Sequence, residues 1–192
     1  MTTDRLENAS REACWAAAHG SVFCDAVLFV HAYATAGADD DQQLRAVAVL
    51  AAAFASSKER HLETAAQGPA FIDATLAAWP CAALARLQEL SSKAIAYPVA
   101  VGVAAAGHAI PQPPALSAYL LAVTANLISA AVRLFPLGQT AGQRVLAELE
   151  AVVAATAGTA IATPLDEIGA ASFRADIASM RHETQYTRLF RS

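Results

Sequence analysis

Apolar residues recur along most of this chain at helical rather than strand spacing, and turn-forming residues cut the pattern into about eight pieces. Residues 4–19 carry Leu6, Ala9, Ala13 and Ala16 on one face and close at His19-Gly20. A second run, 21–36, ends at Gly37. Asp39, Asp40 and Asp41 then place negative charge at the start of the next helix, where the macrodipole favours it. That helix shows Leu44, Val47, Leu50, Ala51 and Phe54 on one face. Ser56 with Glu59 has the spacing of a capping box, and Glu59, Glu63 and Gln67 follow four apart as one polar ridge. Gly68-Pro69 is read as ending that helix and opening another, with Phe71, Thr75 and Trp79 in register up to Pro80.

The second half is more apolar. A short helix over 81–89 leads to Tyr97-Pro98 and a helix of small residues to Gly107, and the prolines at 111–114 form a rigid break. Leu116, Leu120, Val123, Leu127, Ala130 and Leu134 keep helical spacing, and Leu121 and Ile128 make other faces apolar as well. Only Asn126, Ser129 and Arg133 cross this helix as a polar strip. Thr140 with Gln143 repeats the capping-box spacing and predicts a helix to about residue 157. Thr163-Pro164, followed by Asp166 and Glu167, reads as a further helix start. The last helix is expected to turn Phe173, Ile177 and Met180 inward.

Composition supports this reading. Alanine makes up about a quarter of the 192 residues, aromatics are 7%, and runs of alternating β-branched residues are missing. The predicted fold class is all-α, a single bundle of about eight helices spanning 1–192 as one domain and ending in a tail over 181–192. A net charge of −4 argues against a nucleic-acid binder, which needs a basic stripe. Cys14, Cys24 and Cys81 lack CxxC spacing and read as buried thiols in a reducing compartment, and the acidic N-terminus lacks a signal-peptide core, which places the chain in the cytoplasm. The stretch between Lys93 and Arg133 has no formal charge. It is either a pair of buried central helices or a membrane hairpin, each span of which needs roughly 20 apolar residues. Its prolines and its alanine-based hydropathy favour the first.

Candidate chemistry is sparse. LFPLGQTAGQR has glycines but no GxxxxGK[ST], so it reads as a turn between helices and not as a phosphate loop. The three cysteines and five histidines form no i, i+4 pair or close cluster, so no metal site is expected; His31 and His108 are read as satisfied or partly exposed. Glu59, Glu63, Arg60 and His61 are either a solvated ridge or the acid/His site of a small helical enzyme. An arginine in so apolar a helix needs a partner if it is buried, so Arg133 is either internally paired or sits at a protein interface. The ending MRHETQYTRLFRS gathers Arg181, Tyr186, Arg188, Leu189, Phe190 and Arg191, residue types enriched at binding hot spots.

The runs SSKERHLETAAQGPAF, AYPVAVGVAAA, NLISAAVRLFPLGQTAGQRVLAEL and DIASMRHETQYTRLFRS, in that order, resemble the urease accessory protein family UreF from about Gly20 onward. The PLGQTAGQ corner and the HETQYTRLFRS ending are each specific to it. The resemblance implies an all-helical, dimeric, non-catalytic scaffold that joins UreD (also called UreH) and the GTPase UreG on the urease apoprotein. It implies no stably bound cofactor, with nickel handled by the assembly. It implies that the 181–192 tail contacts the UreD-type partner, and that Asn126, Arg133 and His182 face the GTPase. Neither nucleic acid nor membrane is expected as a partner. Family members usually open with a P-x-G-x-F-x-x-S-x-G-L-E segment that nothing here matches, so the chain is read as shortened or as lacking its first few dozen residues.

Overall fold

The computed structural model describes residues 18–91, 94–134 and 138–186. Among these the fold is all-α. Eight α-helices follow one another: α1 (Ser21–Gly37), α2 (Asp41–Ala53), α3 (Lys58–Ala78), α4 (Ala82–Leu90), α5 (Tyr97–Gly107), α6 (Gln112–Leu134), α7 (Gln139–Ala162) and α8 (Phe173–His182). The described chain forms two compact units, one of residues up to Val27 with Pro113–Ser172, the other of Leu28–Gln112 with the residues from Phe173 onward.

The second unit is built around α5, which packs against α2, α3 and α4. Small residues make that position possible. Seven of its eleven residues are buried, and Gly102 lets the helix approach α1 so closely that a Cβ there would lie 2.6 Å from the Phe29 carbonyl oxygen. The sequence reading of this stretch as a central helix therefore holds for α5. Tyr97 opens α5 with its backbone N–H donating to Thr64 Oγ1 at 3.1 Å, and its ring meets Phe71 edge-on at 5.6 Å. Burial pushes the Tyr97 phenol above its ordinary value, because the ionised form would lose solvation. At the α1–α2 corner Asp40 caps α2 by accepting from the Gln43 N–H at 3.0 Å. Arg86 of α4 closes the same corner on Asp39 and on the Ala36 carbonyl.

Helix α3 differs from expectation in three ways. It runs unbroken through Gly68-Pro69. A proline inside a helix costs about 3 kcal/mol, but the contacts with α5 on both sides of it hold the helix together. Its buried residues are Gly68 and Ile72, while Trp79 is 68% exposed, so the apolar face lies one position away from the predicted 71/75/79 register. Its cap is Ser57, which accepts from the Arg60 N–H at 3.2 Å, while Ser56 and Glu59 bond to another helix.

In the first unit α6 and α7 meet through Ile128, Val145 and Leu149, flanked by Val132 and Val152. Gly142 allows this contact, since a Cβ there would lie 2.9 Å from a Val132 methyl. The buried positions of α6 are Leu116, Tyr119, Leu120, Thr124 and Ile128, whereas Leu127 and Leu134 are exposed. A helix apolar on several sides does not reveal its buried stripe by spacing alone. Helix α7 starts earlier than Thr140 because the Gly138 carbonyl accepts from both Ala141 and Gly142. It also runs past residue 157, to Ala162. Thr163 ends α7 instead of starting a helix. Proline at 164 keeps Thr163 extended, and its hydroxyl turns back to the Thr159 carbonyl at 2.8 Å. The acids at 166 and 167 then lead only a single 3-10 turn, Leu165–Glu167. Helices α6 and α7 are long and apolar enough to cross a membrane by length and composition.

Candidate partner-binding surfaces

Helix α8 contributes no fully buried residue. Its sequence FRADIASMRH puts Asp176, Ser179 and His182 along one side, Glu183 follows in the turn just after it, and that side lies on the N-terminal end of α3. Four polar contacts join them. Ser56 Oγ donates to Asp176 at 2.8 Å, and the Ser57 and Ser179 hydroxyls pair at 2.7 Å. The Lys58 backbone N–H donates to Glu183 Oε1 at 2.8 Å, and His182 Nδ1 lies 2.7 Å from Glu59 Oε2. Only the serine pair is neutral; the other three have carboxylate acceptors, and such bonds contribute about 1.5–3 kcal/mol when buried and less where solvent screens them, as at these partly exposed positions.

This docking reverses the predicted orientation of the helix. Phe173, Ile177 and Met180 are 72%, 48% and 49% exposed, not inward-facing. The i, i+4, i+7 apolar spacing was read correctly as one face, but the polar residues beside it had better partners. Arg174 and Arg181 are exposed alongside that face, whereas the acids of α8 are turned toward α3. The outward surface is therefore apolar and basic.

The other predicted positions are distributed as follows. Asn126, Ser129 and Arg133 are all exposed on α6, in the first unit, while His182 belongs to the second. Because Arg133 is exposed, the burial argument for a paired arginine does not apply to it. Leu127 and Leu134 flank the strip and are exposed too. Tyr186 is fully exposed; Arg188, Leu189, Phe190 and Arg191 lie outside the described residues, as do Cys14 and most of the LFPLG corner. Cys24 and Cys81 are buried; His31 is half-buried and His108 exposed.

The Glu59–Gln67 ridge forms a string of internal bonds. Arg60 Nη1 donates to Glu63 Oε2 at 2.8 Å, Gln67 Nε2 donates to Glu63 Oε1 at 3.3 Å, and Glu59 meets His182. An open, mostly apolar cavity of about 760 Å³ lies in the first unit, lined by His19, Phe23, Val152 and Thr156 among others, and the ridge residues do not line it. Among the described residues no group of three or more His, Cys, Asp or Glu is placed to hold a metal ion. Two helical surfaces, on α6 and on α8, carry exposed apolar side chains beside arginines.

Comparison with known proteins gives the family. The UreF family profile matches residues 7–150. A urease accessory protein UreF of Rhodopseudomonas palustris is 57% identical over 174 residues, covering 91% of this chain and 72% of the relative. Those of Bradyrhizobium diazoefficiens and of Bradyrhizobium sp. BTAi1 are 56% and 58% identical, each covering 90% of this chain and 72% of the relative. The chain belongs to the UreF family of urease accessory proteins.

Proposed function

We propose that this chain is a non-catalytic scaffold of urease maturation, working in the cytoplasm. With a UreD-type (UreH-type) partner and the GTPase UreG it assembles on the urease apoprotein and supports GTP-dependent insertion of nickel, which is cargo of the assembly and not a resident cofactor. The observation that carries this reading is the outward apolar face of α8, Phe173, Ile177 and Met180, continuous in sequence with the arginine- and aromatic-rich ending. The face is flanked by Arg174 and Arg181, so it fits an apolar groove with an acidic rim. We assign it, together with the tail, to the UreD-type partner. Exposed Leu121, Leu127 and Leu134 on α6 and Ile161 on α7 suit a second copy of the chain, in a two-fold dimer. Asn126 and Arg133 are exposed on the polar strip of α6, and the GTPase is assigned to that strip.

Two experiments test the assignments. Deleting residues 187–192 is expected to leave helical circular dichroism and melting temperature unchanged while abolishing co-elution with the UreD-type partner in size-exclusion chromatography. Unfolding of the truncated chain would refute the tail's role as a binding arm. Arg133→Ala is expected to keep the fold and the UreD-type complex but to weaken GTPase capture. A guanidinium fork lost from an interface costs on the order of 2–5 kcal/mol, which a pull-down resolves. A sharp fall in melting temperature for Arg133→Ala would instead place its partner inside this chain.

A further inference from the structure

Helix α8 is docked by polar contacts, and its apolar face is left to solvent. Surface helices ordinarily bury their apolar stripe, so something must hold this one the other way round. Asp176, Ser179 and His182 occupy successive turns of one side of α8, Glu183 follows directly after it, and each meets a group within the four residues Ser56, Ser57, Lys58 and Glu59. The His182–Glu59 pair and the Ser57–Ser179 pair are the two partly buried contacts of the four, and the first joins two ionisable groups. Its side chains are 32% and 19% exposed, and its 2.7 Å separation spans 123 residues of sequence.

We infer that His182 is a positioning residue: with Glu59 and the serine pair it forms a polar latch that fixes α8 with Phe173, Ile177 and Met180 facing outward, ready for a partner. This rests on the reading of that face as the UreD-type docking surface. It gives His182 a different task from a direct contact with the GTPase, because the Nδ1 side of the imidazole is already committed to Glu59. A helix held this way reaches its partner already folded and oriented, so less ordering entropy is lost on binding. No side chain of α8 is fully buried, and Ile177 and Met180 are only about half covered, so without the latch local opening becomes easier.

The test uses the full chain and reads hydrogen exchange of the α8 backbone amides, which needs no partner. Glu59→Ala and His182→Ala are each expected to speed exchange across 174–182 by about tenfold, as for loss of one well-placed hydrogen bond, with α5 unchanged. The double variant should be no worse than either single one, because both remove the same contact. Glu59→Gln, which keeps an acceptor for the imidazole N–H, should restore most of the protection. Capture of the UreD-type partner should weaken in the same order. Unchanged α8 exchange in Glu59→Ala would overturn the latch. So would a loss of partner binding in His182→Ala that Glu59→Ala does not share, since His182 would then touch the partner directly. If the latch variants open α8 but an Ile177→Asp variant still captures the partner, the latch stands as a structural device and the docking reading fails.

Discussion

Gly68→Ala is expected to lower the melting temperature by about 6–12 °C. A Cβ at this position would lie 1.8 Å from the Ile95 carbonyl oxygen and 2.9 Å from its carbonyl carbon, both backbone atoms that no rotamer change can clear. The chain entering α5 would have to move away from α3, loosening the contact around which the second unit is organised. Alanine contributes up to about 1 kcal/mol through helix propensity. Overpacking costs about 1–3 kcal/mol and more against rigid backbone, so the net loss is taken as about 3 kcal/mol. At about 2–4 °C per kcal/mol for a chain of this size, that gives the stated fall. Gly158→Ala is the control. It lies in α7 with nothing within 4 Å of its built Cβ, so only the propensity gain applies and the melting temperature should rise by a few degrees. Equal melting of Gly68→Ala and the parent chain, followed by circular dichroism, would show that α3 and the Ile95 backbone are not in close contact.

Gly68 also marks where sequence reading works and where it fails. Helices bounded by unambiguous chemistry were legible. Asp40 caps α2 as its acidic cluster announced, Gly37 ends α1, and Tyr97-Pro98 opens α5. Gly-Pro at 68–69 carries the local signature of a break, yet the glycine is there because the Ile95 backbone leaves no room for a side chain. Local preference alone cannot reveal a contact made 27 residues away in sequence. The same limit displaced the first capping box. Ser56 and Glu59 have the right spacing, but their side chains bond to Asp176 and His182, and Ser57, itself bonded to Ser179, is the one that also accepts the capping N–H. Of the surfaces, the Asn126/Ser129/Arg133 strip was visible because it is polar in an apolar helix. The α8 face was visible as a stripe but not as an exposed one, because periodicity gives the angle between residues and not the direction of the core.

The α8 face carries the largest expected functional effect. Ile177→Asp combined with Met180→Asp should reduce affinity for the UreD-type partner by more than a hundredfold, read as lost co-elution from chromatography and a lost signal in titration calorimetry. Both side chains are about half exposed in the free chain, so the substitutions give up only part of each side chain's burial and the fold is expected to survive. Surface changes of this sort usually shift stability by no more than about 0.5 kcal/mol. In a complex, each carboxylate would enter the desolvated centre of an apolar contact. Losses of about 2 kcal/mol or more at such anchors are common, and each 1.4 kcal/mol is tenfold. Two such losses correspond to several hundredfold, less whatever the two sites share. The flanking Arg174 and Arg181 sharpen the expectation, because a partner groove with an acidic rim would repel the new charges as well. Light scattering on the variant separates this outcome from damage to a self-association surface. A chain that keeps its oligomeric state and melting temperature while losing the partner supports the assignment. One that keeps the partner, or that loses its oligomeric state or its fold, would show that the outward face of α8 serves a second copy or the protein's own interior.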